Sequence, residues 1–262
     1  MPSASYDARM ATRPSTEPFS AGDCEVGVLF VHGFTGSPVA LRDWAERTAA
    51  AGYRVRVLRL PGHGTSWQEL AVTSWQDWYA TVDRELTDLL AQCDRVFLAS
   101  LSMGGALSLM AAQRRPDDVA GLILVNPGLT STNPATSLAG LLKHVVKSVP
   151  GIANDATIPI DEGAYERTPI ASVHELTKLW GELRPYLDLV QCPLLIFRSE
   201  VDHVVTPASV EMIKRQASST EITEHVLRNS YHVATMDAEA EFIFEESLRF
   251  LAAQSQRPSA AR

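Results

Sequence analysis

Long apolar runs are the first thing this sequence lacks. No stretch of its 262 residues approaches the roughly 18 consecutive apolar residues of a membrane span. The opening twenty residues, MPSASYDARMATRPSTEPFS, also lack the apolar centre of a signal peptide. Cysteine is scarce. Cys24, Cys93 and Cys192 are far apart, odd in number, and form no CxxC pair. A disulfide framework and a thiolate metal site are therefore excluded, and buried free thiols are predicted. Excess positive charge is absent too. Against 23 Lys and Arg stand 31 Asp and Glu, a formal charge of -8 with no basic cluster. That balance argues against nucleic acid or an anionic membrane surface as a general partner. A cytoplasmic protein without stable membrane insertion is the expectation, either monomeric or a homodimer.

What is present is a 45 % apolar content, enough for one globule with a sizeable core. Short apolar runs alternate with helical patterns and no repeat is visible. Val26–Val31 is nearly continuous and ends at His32-Gly33-Phe34-Thr35-Gly36. Pro38 suits a first helical turn, after which Leu41, Trp44, Ala45 and Thr48 share one face. Tyr53–Leu60 alternates and stops at Pro61-Gly62-His63-Gly64. A helical stripe runs from Trp75 to Leu90, then come Val96–Ala99, a serine-rich turn and a helix to about Arg114. Further strands are expected at Val119–Val125, Leu194–Phe197 and, more weakly, Glu224–Leu227, with helices over 207–217 and Glu239–Leu251.

Strands that alternate with helices pair in parallel, and continuous apolar strands suit a sheet covered on both faces. The predicted fold class is α/β, a mostly parallel sheet with helices on both faces plus a small helical cap. Residues 23–128 and 191–252 form the core. Residues 129–190, rich in proline and without a convincing strand, form the cap insertion. Residues 1–22 and 253–262 are polar and expected to fray. Ligands in open parallel sheets bind beyond the carboxyl ends of the strands, and the cap leaves the chain at that edge.

The reactive groups just past strand ends are His32, His63, Ser102, Asn126, Asp202 and His232. They include a serine, an acid and a base in the order Ser102, Asp202, His232. A hydroxyl attacking a carbonyl needs a base for its proton and a third group to orient that base. A tight strand-to-helix turn lifts the hydroxyl of Ser102 above the sheet and aims the next N–H, that of Met103, at a developing oxyanion. Gly104 and Gly105 allow the close approach on one side. On the other, Ser100 stands where glycine is usual. The alternative for Ser102 is a helix N-cap. Glu200 and Asp188 compete with Asp202, although Asp188 precedes its strand. His203 and His225 are less well placed than His232. Phe34 in the glycine-rich loop offers a second oxyanion N–H, and His32 and His63 read as structural loop residues.

HGFTG, PGHG, SLSMGG, SEVDHVV and NSYHVATMD together resemble the α/β-hydrolase superfamily over about Glu25 to Leu251. More narrowly, HGFTGSP, LRLPGHGTS with the following SWQDWY helix, and YERTPIAS in the cap resemble bacterial monoacylglycerol lipases and related small carboxylesterases. The resemblance implies Ser102 as nucleophile, His232 as base then acid, Asp202 as orienting carboxylate, and Phe34 and Met103 as oxyanion donors. It implies neither metal nor organic cofactor. The implied substrate is a small-molecule or lipid ester, a medium- or long-chain monoester. The cap would roof an acyl pocket, where Leu141, Leu142, Leu176, Leu179 and Trp180 either line the pocket or pack on the sheet. Thioesterase, perhydrolase and carbon–carbon hydrolase activities stay open on the same residues, as does a non-catalytic ligand-binding protein.

Overall fold

The computed structural model describes residues 16–131 and 133–256. In chain order the strands are β1 (Phe19–Ala21), β2 (Val26–Val31), β3 (Arg54–Val57), β4 (Arg95–Leu101), β5 (Val119–Val125), β6 (Ser148–Pro150), β7 (Arg167–Pro169), β8 (Leu194–Ser199) and β9 (Ile222–Leu227). The helices are α1 (Arg42–Ala50), α2 (Trp67–Leu70), α3 (Trp75–Leu90), α4 (Met103–Arg114), α5 (Pro134–Ser137), α6 (Ala139–Leu142), α7 (Ile170–Leu183), α8 (Ala208–Gln216) and α9 (Ala240–Ser255). The main sheet has the order β1-β3-β2-β4-β5-β8-β9. Every pairing in it is parallel except β1 with β3.

Alternation along the strands builds two cores. Leu29, Val31, Val96, Leu98, Leu122 and Leu124 face one side, beneath α3, α4, α7 and α8. Val28, Phe30, Phe97, Ala99, Ile123 and Val125 face the other, beneath α1 and α9. Each fully buried Phe or Leu contributes roughly 1.5–3 kcal/mol relative to exposure, so central strands apolar on both faces are strongly held between the layers. Helix starts follow local chemistry. The α3 start is a capping box, in which the Asp77 N–H donates to Ser74 Oγ at 3.3 Å and the Ser74 N–H to Asp77 Oδ2 at 2.8 Å. Pro38 opens a short 3-10 turn, Pro38–Leu41, before α1.

Register then fixes one working edge. Val31 pairs with Ser100, Ser100 with Leu124, Leu124 with Ile196, and Ile196 with Glu224. The residues just beyond that row carry the chemistry.

Four expectations need correction. Phe19–Ala21 lies within the segment expected to fray, yet it forms an edge strand, because Phe19 packs under the Arg42 guanidinium at 3.9 Å and Arg59 holds Glu17 at 2.9 Å. Residues 1–15 lie outside the described residues. The C-terminal helix continues to Ser255, past the expected end at Leu251, since Gln254 is buried and its carbonyl accepts from Arg95 at 2.7 Å; residues 257–262 lie outside the described residues. The segment 129–190 contains a two-stranded antiparallel ribbon, β6 with β7, whose three-residue strands each end in proline and are too short to show a period. The thiols are free, as expected, but only Cys93 is buried; Cys24 and Cys192 are partly exposed. No described helix is long and apolar enough to cross a membrane.

Candidate active site

The turn between β4 and α4 is strained at one residue. Ser102 has φ 56° and ψ -119°, a region sparsely open to a residue with a Cβ and costing on the order of 1–3 kcal/mol. Backbone bonds hold it there. The Ser102 N–H donates to the Val125 carbonyl at 3.0 Å, and its own carbonyl accepts from Gly105 at 2.9 Å and Gly128 at 3.1 Å. The helix packs so tightly that a Cβ on Gly104 would lie 2.0 Å from the Val31 carbonyl oxygen. Ser102 occupies the N-cap position, but its hydroxyl makes no capping bond. An N-cap serine would have spent its oxygen on the helix; this one faces the cavity instead.

Ser100 sits inside β4, fully buried, with its hydroxyl donating to the Ile123 carbonyl at 3.4 Å. The strand therefore accommodates a hydroxymethyl group where glycine is usual. The close approach falls on Gly104 and on Gly105, where a Cβ would lie 2.8 Å from Pro127 Cβ.

Opposite the turn, His232 Nδ1–H donates to Asp202 Oδ2 at 2.8 Å. Asp202 Oδ1 accepts the Val204 and Val205 N–H groups at 2.8 and 2.7 Å. Burial alone would raise the Asp202 pKa. The hydrogen bond and charge of His232, with the two backbone donors, outweigh it and hold the carboxyl below its ordinary value. Nδ1 is thereby committed to Asp202, and Nε2 is the ring nitrogen not bonded to the carboxylate. The competitors lie elsewhere. Glu200 and Asp188 are exposed, His203 pairs with Asp155, and His225 stacks on Phe197 within β9.

Ser102, Met103, Phe34 and His232 line one cavity of about 540 Å³. A Cβ on Gly33 would come within 3.2 Å of Ser102 Cβ, so the loop bearing Phe34 runs directly beside the serine. That loop is braced from behind. His32 Nδ1–H donates to the Gly33 carbonyl at 3.0 Å, while its Nε2 accepts from Leu60 N–H at 3.1 Å. His63 donates through Nδ1 to the Pro61 carbonyl at 3.0 Å and packs between His32 and Trp78. Both rings are fully buried. Desolvation, the largest cause in each, pushes His32 down to about 4 and His63 down to about 3, so both are neutral at neutral pH.

Of the five cap side chains expected at a pocket, Leu142, Leu176 and Trp180 line the cavity. Leu141 does not: it is 74 % exposed, because α6 turns it away from its neighbour Leu142. Leu179 is buried in the core under α7, one residue round the helix from Trp180. The Trp180 indole N–H donates to the Gly128 carbonyl at 2.7 Å, fixing α7 over the serine turn. Among the described residues no group of three or more His, Cys, Asp or Glu is placed to hold a metal ion.

The family model described as serine aminopeptidase S33 matches residues 24–239. The chain belongs to the serine aminopeptidase S33 family. A thermostable monoacylglycerol lipase of Bacillus sp. (strain H-257) is 41 % identical over 237 residues, 90 % of this chain and 94 % of the relative. A solved structure from work on LipS and LipT, two metagenome-derived lipolytic enzymes, is 38 % identical. It superposes with a TM-score of 0.89 over 92 % of this chain and 98 % of that one. The monoacylglycerol lipase of Paleococcus ferrophilus, at 18 % identity, shares the fold with a TM-score of 0.78 over 91 % of this chain and 98 % of its own. The architecture is the α/β-hydrolase fold.

Two polar residues of this S33 member, Asp155 and Glu162, escaped the reading of its sequence, and a third, Asn126, was named there at a strand end without a role. Asn126, at φ 43°, donates to the Ser199 hydroxyl at 3.0 Å and to the His232 carbonyl at 2.9 Å, so it ties β5 and β8 to the histidine loop. Glu162 is buried against the cavity, with Oε1 accepting the Asn154 N–H at 2.8 Å. Burial raises its pKa, against the lowering effect of that N–H and of His232. Asp155 also lines the cavity. Asp155 and Glu162 lie in a proline-broken loop with no periodicity or motif to mark them.

Proposed function

We propose that this chain hydrolyses carboxylic esters through an acyl-enzyme on Ser102, with medium- or long-chain monoacylglycerols and similar monoesters as its substrates. One observation carries the reading. A serine held in a strained turn, with its hydroxyl unspent on the helix, shares a cavity with a histidine already committed to a buried carboxylate. The relative that is 41 % identical bears the name of a monoacylglycerol lipase, which supports the substrate class.

The steps follow from the groups present. Ser102 Oγ attacks the ester carbonyl carbon and its proton passes to His232 Nε2. Asp202 steadies the imidazolium that forms. The negative oxygen is received by the N–H groups of Phe34 and Met103, beside the positive end of the α4 dipole. His232 returns the proton to the departing alcohol oxygen, leaving an acyl-enzyme. Water gives a proton to the same Nε2 and attacks the acyl carbon, and the proton then goes back to Ser102 as the fatty acid leaves.

Residues 129–190 serve as the cap in this reading, because Leu142, Val146, Val173, Leu176 and Trp180 give the cavity an apolar wall for the acyl chain. Glu162, which also lines the cavity, offers a polar partner for the alcohol. The free thiols support a reducing, cytoplasmic setting. The protein acts as a monomer or homodimer.

A chain-length series of monoacylglycerols, with Ser102→Ala as the blank, tests the reading. Each added methylene buries about 0.8 kcal/mol, so kcat/KM should rise about fourfold per carbon until the cavity is full. Faster turnover of matched thioesters would overturn the substrate class. A second reading has its own support: Asp155 and Glu162 place two carboxyl groups at the cavity, where they could hold the ammonium of an aminoacyl substrate, as the family description suggests. Faster hydrolysis of aminoacyl p-nitroanilides than of monoacylglycerols would favour it.

A further inference from the structure

Asp155 belongs to the cap segment but bonds to both loops that carry the acid and the base. Its Oδ2 accepts the backbone N–H of His232 at 3.2 Å and that of His203, next to Asp202, at 3.3 Å. Its Oδ1 accepts His203 Nδ1–H at 2.8 Å. Its backbone carbonyl accepts the Val233 N–H at 2.9 Å. One residue thus holds His232 and the following Val233 by their backbone N–H groups and fixes the neighbour of the carboxylate partner.

The turn that presents Asp155 is itself locked. Asn154 adopts φ 56°, its N–H donates to Glu162 Oε1 at 2.8 Å, and its Oδ1 accepts the Glu162 N–H at 3.1 Å. Two residues on, Thr157 anchors the same segment separately. Its N–H donates to Asp237 Oδ2 at 2.8 Å, and its hydroxyl donates to the Asn229 carbonyl at 3.1 Å. The segment is therefore anchored twice, and only the Asp155 anchor touches His232.

We propose that Asp155 is a positioning residue that sets the backbone, and hence the imidazole, of His232 relative to Ser102, coupling the cap to the reacting groups. Asp155 has this role only if Ser102, Asp202 and His232 are the reacting residues, the reading advanced above. The exposed His203 arm contributes little by charge in high dielectric. The weight falls on the N–H of His232, which is buried and loses its acceptor when the carboxylate is removed. A misplacement of about 1 Å at a reacting group costs on the order of 10²-fold in rate.

Three variants test this, each assayed on a monoacylglycerol, with reactive sites counted by fluorophosphonate titration so that unfolded chains drop out. Asp155→Ala should lower kcat per site by about 10- to 100-fold while KM stays within about twofold, because the acyl wall is untouched. Asp155→Asn keeps an oxygen for the His232 N–H and lets His203 switch tautomer, so kcat should recover to within about threefold of the wild type. Thr157→Ala loosens the other anchor and should reduce thermal stability while leaving kcat per site unchanged. Unchanged kcat per site in Asp155→Ala, or a loss in Asp155→Asn as large as in Asp155→Ala, overturns the positioning role. Equal kcat losses in Thr157→Ala and Asp155→Ala overturn it as well, since general loosening of the cap would then suffice. Turnover that survives in Ser102→Ala is a different failure, that of the catalytic reading itself.

Discussion

The two buried histidines behind the Phe34 loop make stability pH-dependent in a calculable way. His32 is held down to about 4 and His63 to about 3 by desolvation, whereas both titrate near 6.5 in an unfolded chain. Between those values the unfolded chain binds protons that the native protein refuses, so stability rises with pH and falls on acidification. From pH 7.5 to pH 5 each histidine costs about 2 kcal/mol, or about 4 kcal/mol together. Glu162, whose carboxyl is pushed up by burial, works the other way and offsets part of this loss. Asp202 is held low, and its contribution is lost only at more acid pH, as the solution falls through its depressed pKa. Urea unfolding at constant ionic strength, at pH 7.5 and pH 5, measures the difference. His63→Gln, which cannot titrate, should show about half the wild-type loss, with each protein compared only with itself. A wild-type curve that does not move, or an equal shift in the variant, would refute a neutral buried pair.

Two further substitutions probe the serine turn. Gly104→Ala would place its Cβ 2.0 Å from the Val31 carbonyl oxygen and 2.8 Å from that of His32. Both are backbone atoms, so destabilisation should be at least about 1–3 kcal/mol with loss of ester turnover; a variant with native Tm and activity would contradict the packing. Ser100→Gly should leave kcat within about twofold and cost about 1 kcal/mol of stability, read by urea titration, because glycine weakens a strand interior. A tenfold gain in turnover would mean instead that Ser100 crowds Ser102.

The site was legible because parallel register puts every strand end on one edge. Ser102 and Asp202 each follow an apolar strand and His232 a weaker, more polar one, and the pairing of Val31, Ser100, Leu124, Ile196 and Glu224 turns sequence order into proximity. Most of residues 129–190 was not legible in this way. Apart from the 14-residue α7, the strands of this segment are three residues long and its helices α5 and α6 four each, too short for any period to accumulate. Leu141 and Leu142 are indistinguishable by composition, and only the helix turn decides which meets the cavity. The missed carboxylates have the same cause: Asp155 takes its environment from His203 and His232, and Glu162 lies against the glycine-rich loop, contacts far along the chain. At the termini, edge pairing by Phe19–Ala21 and the buried end of α9 depend on cation–π packing and on Arg95, which polar composition conceals.

Labelling with a fluorophosphonate, followed by intact-mass measurement and peptide mapping, tests the central claim most directly. The expected result is one adduct per chain, on Ser102, with monoacylglycerol turnover lost in proportion to labelling. An adduct on Ser100 or any other residue, or turnover that persists in fully labelled protein, would contradict the assignment of Ser102 as the nucleophile.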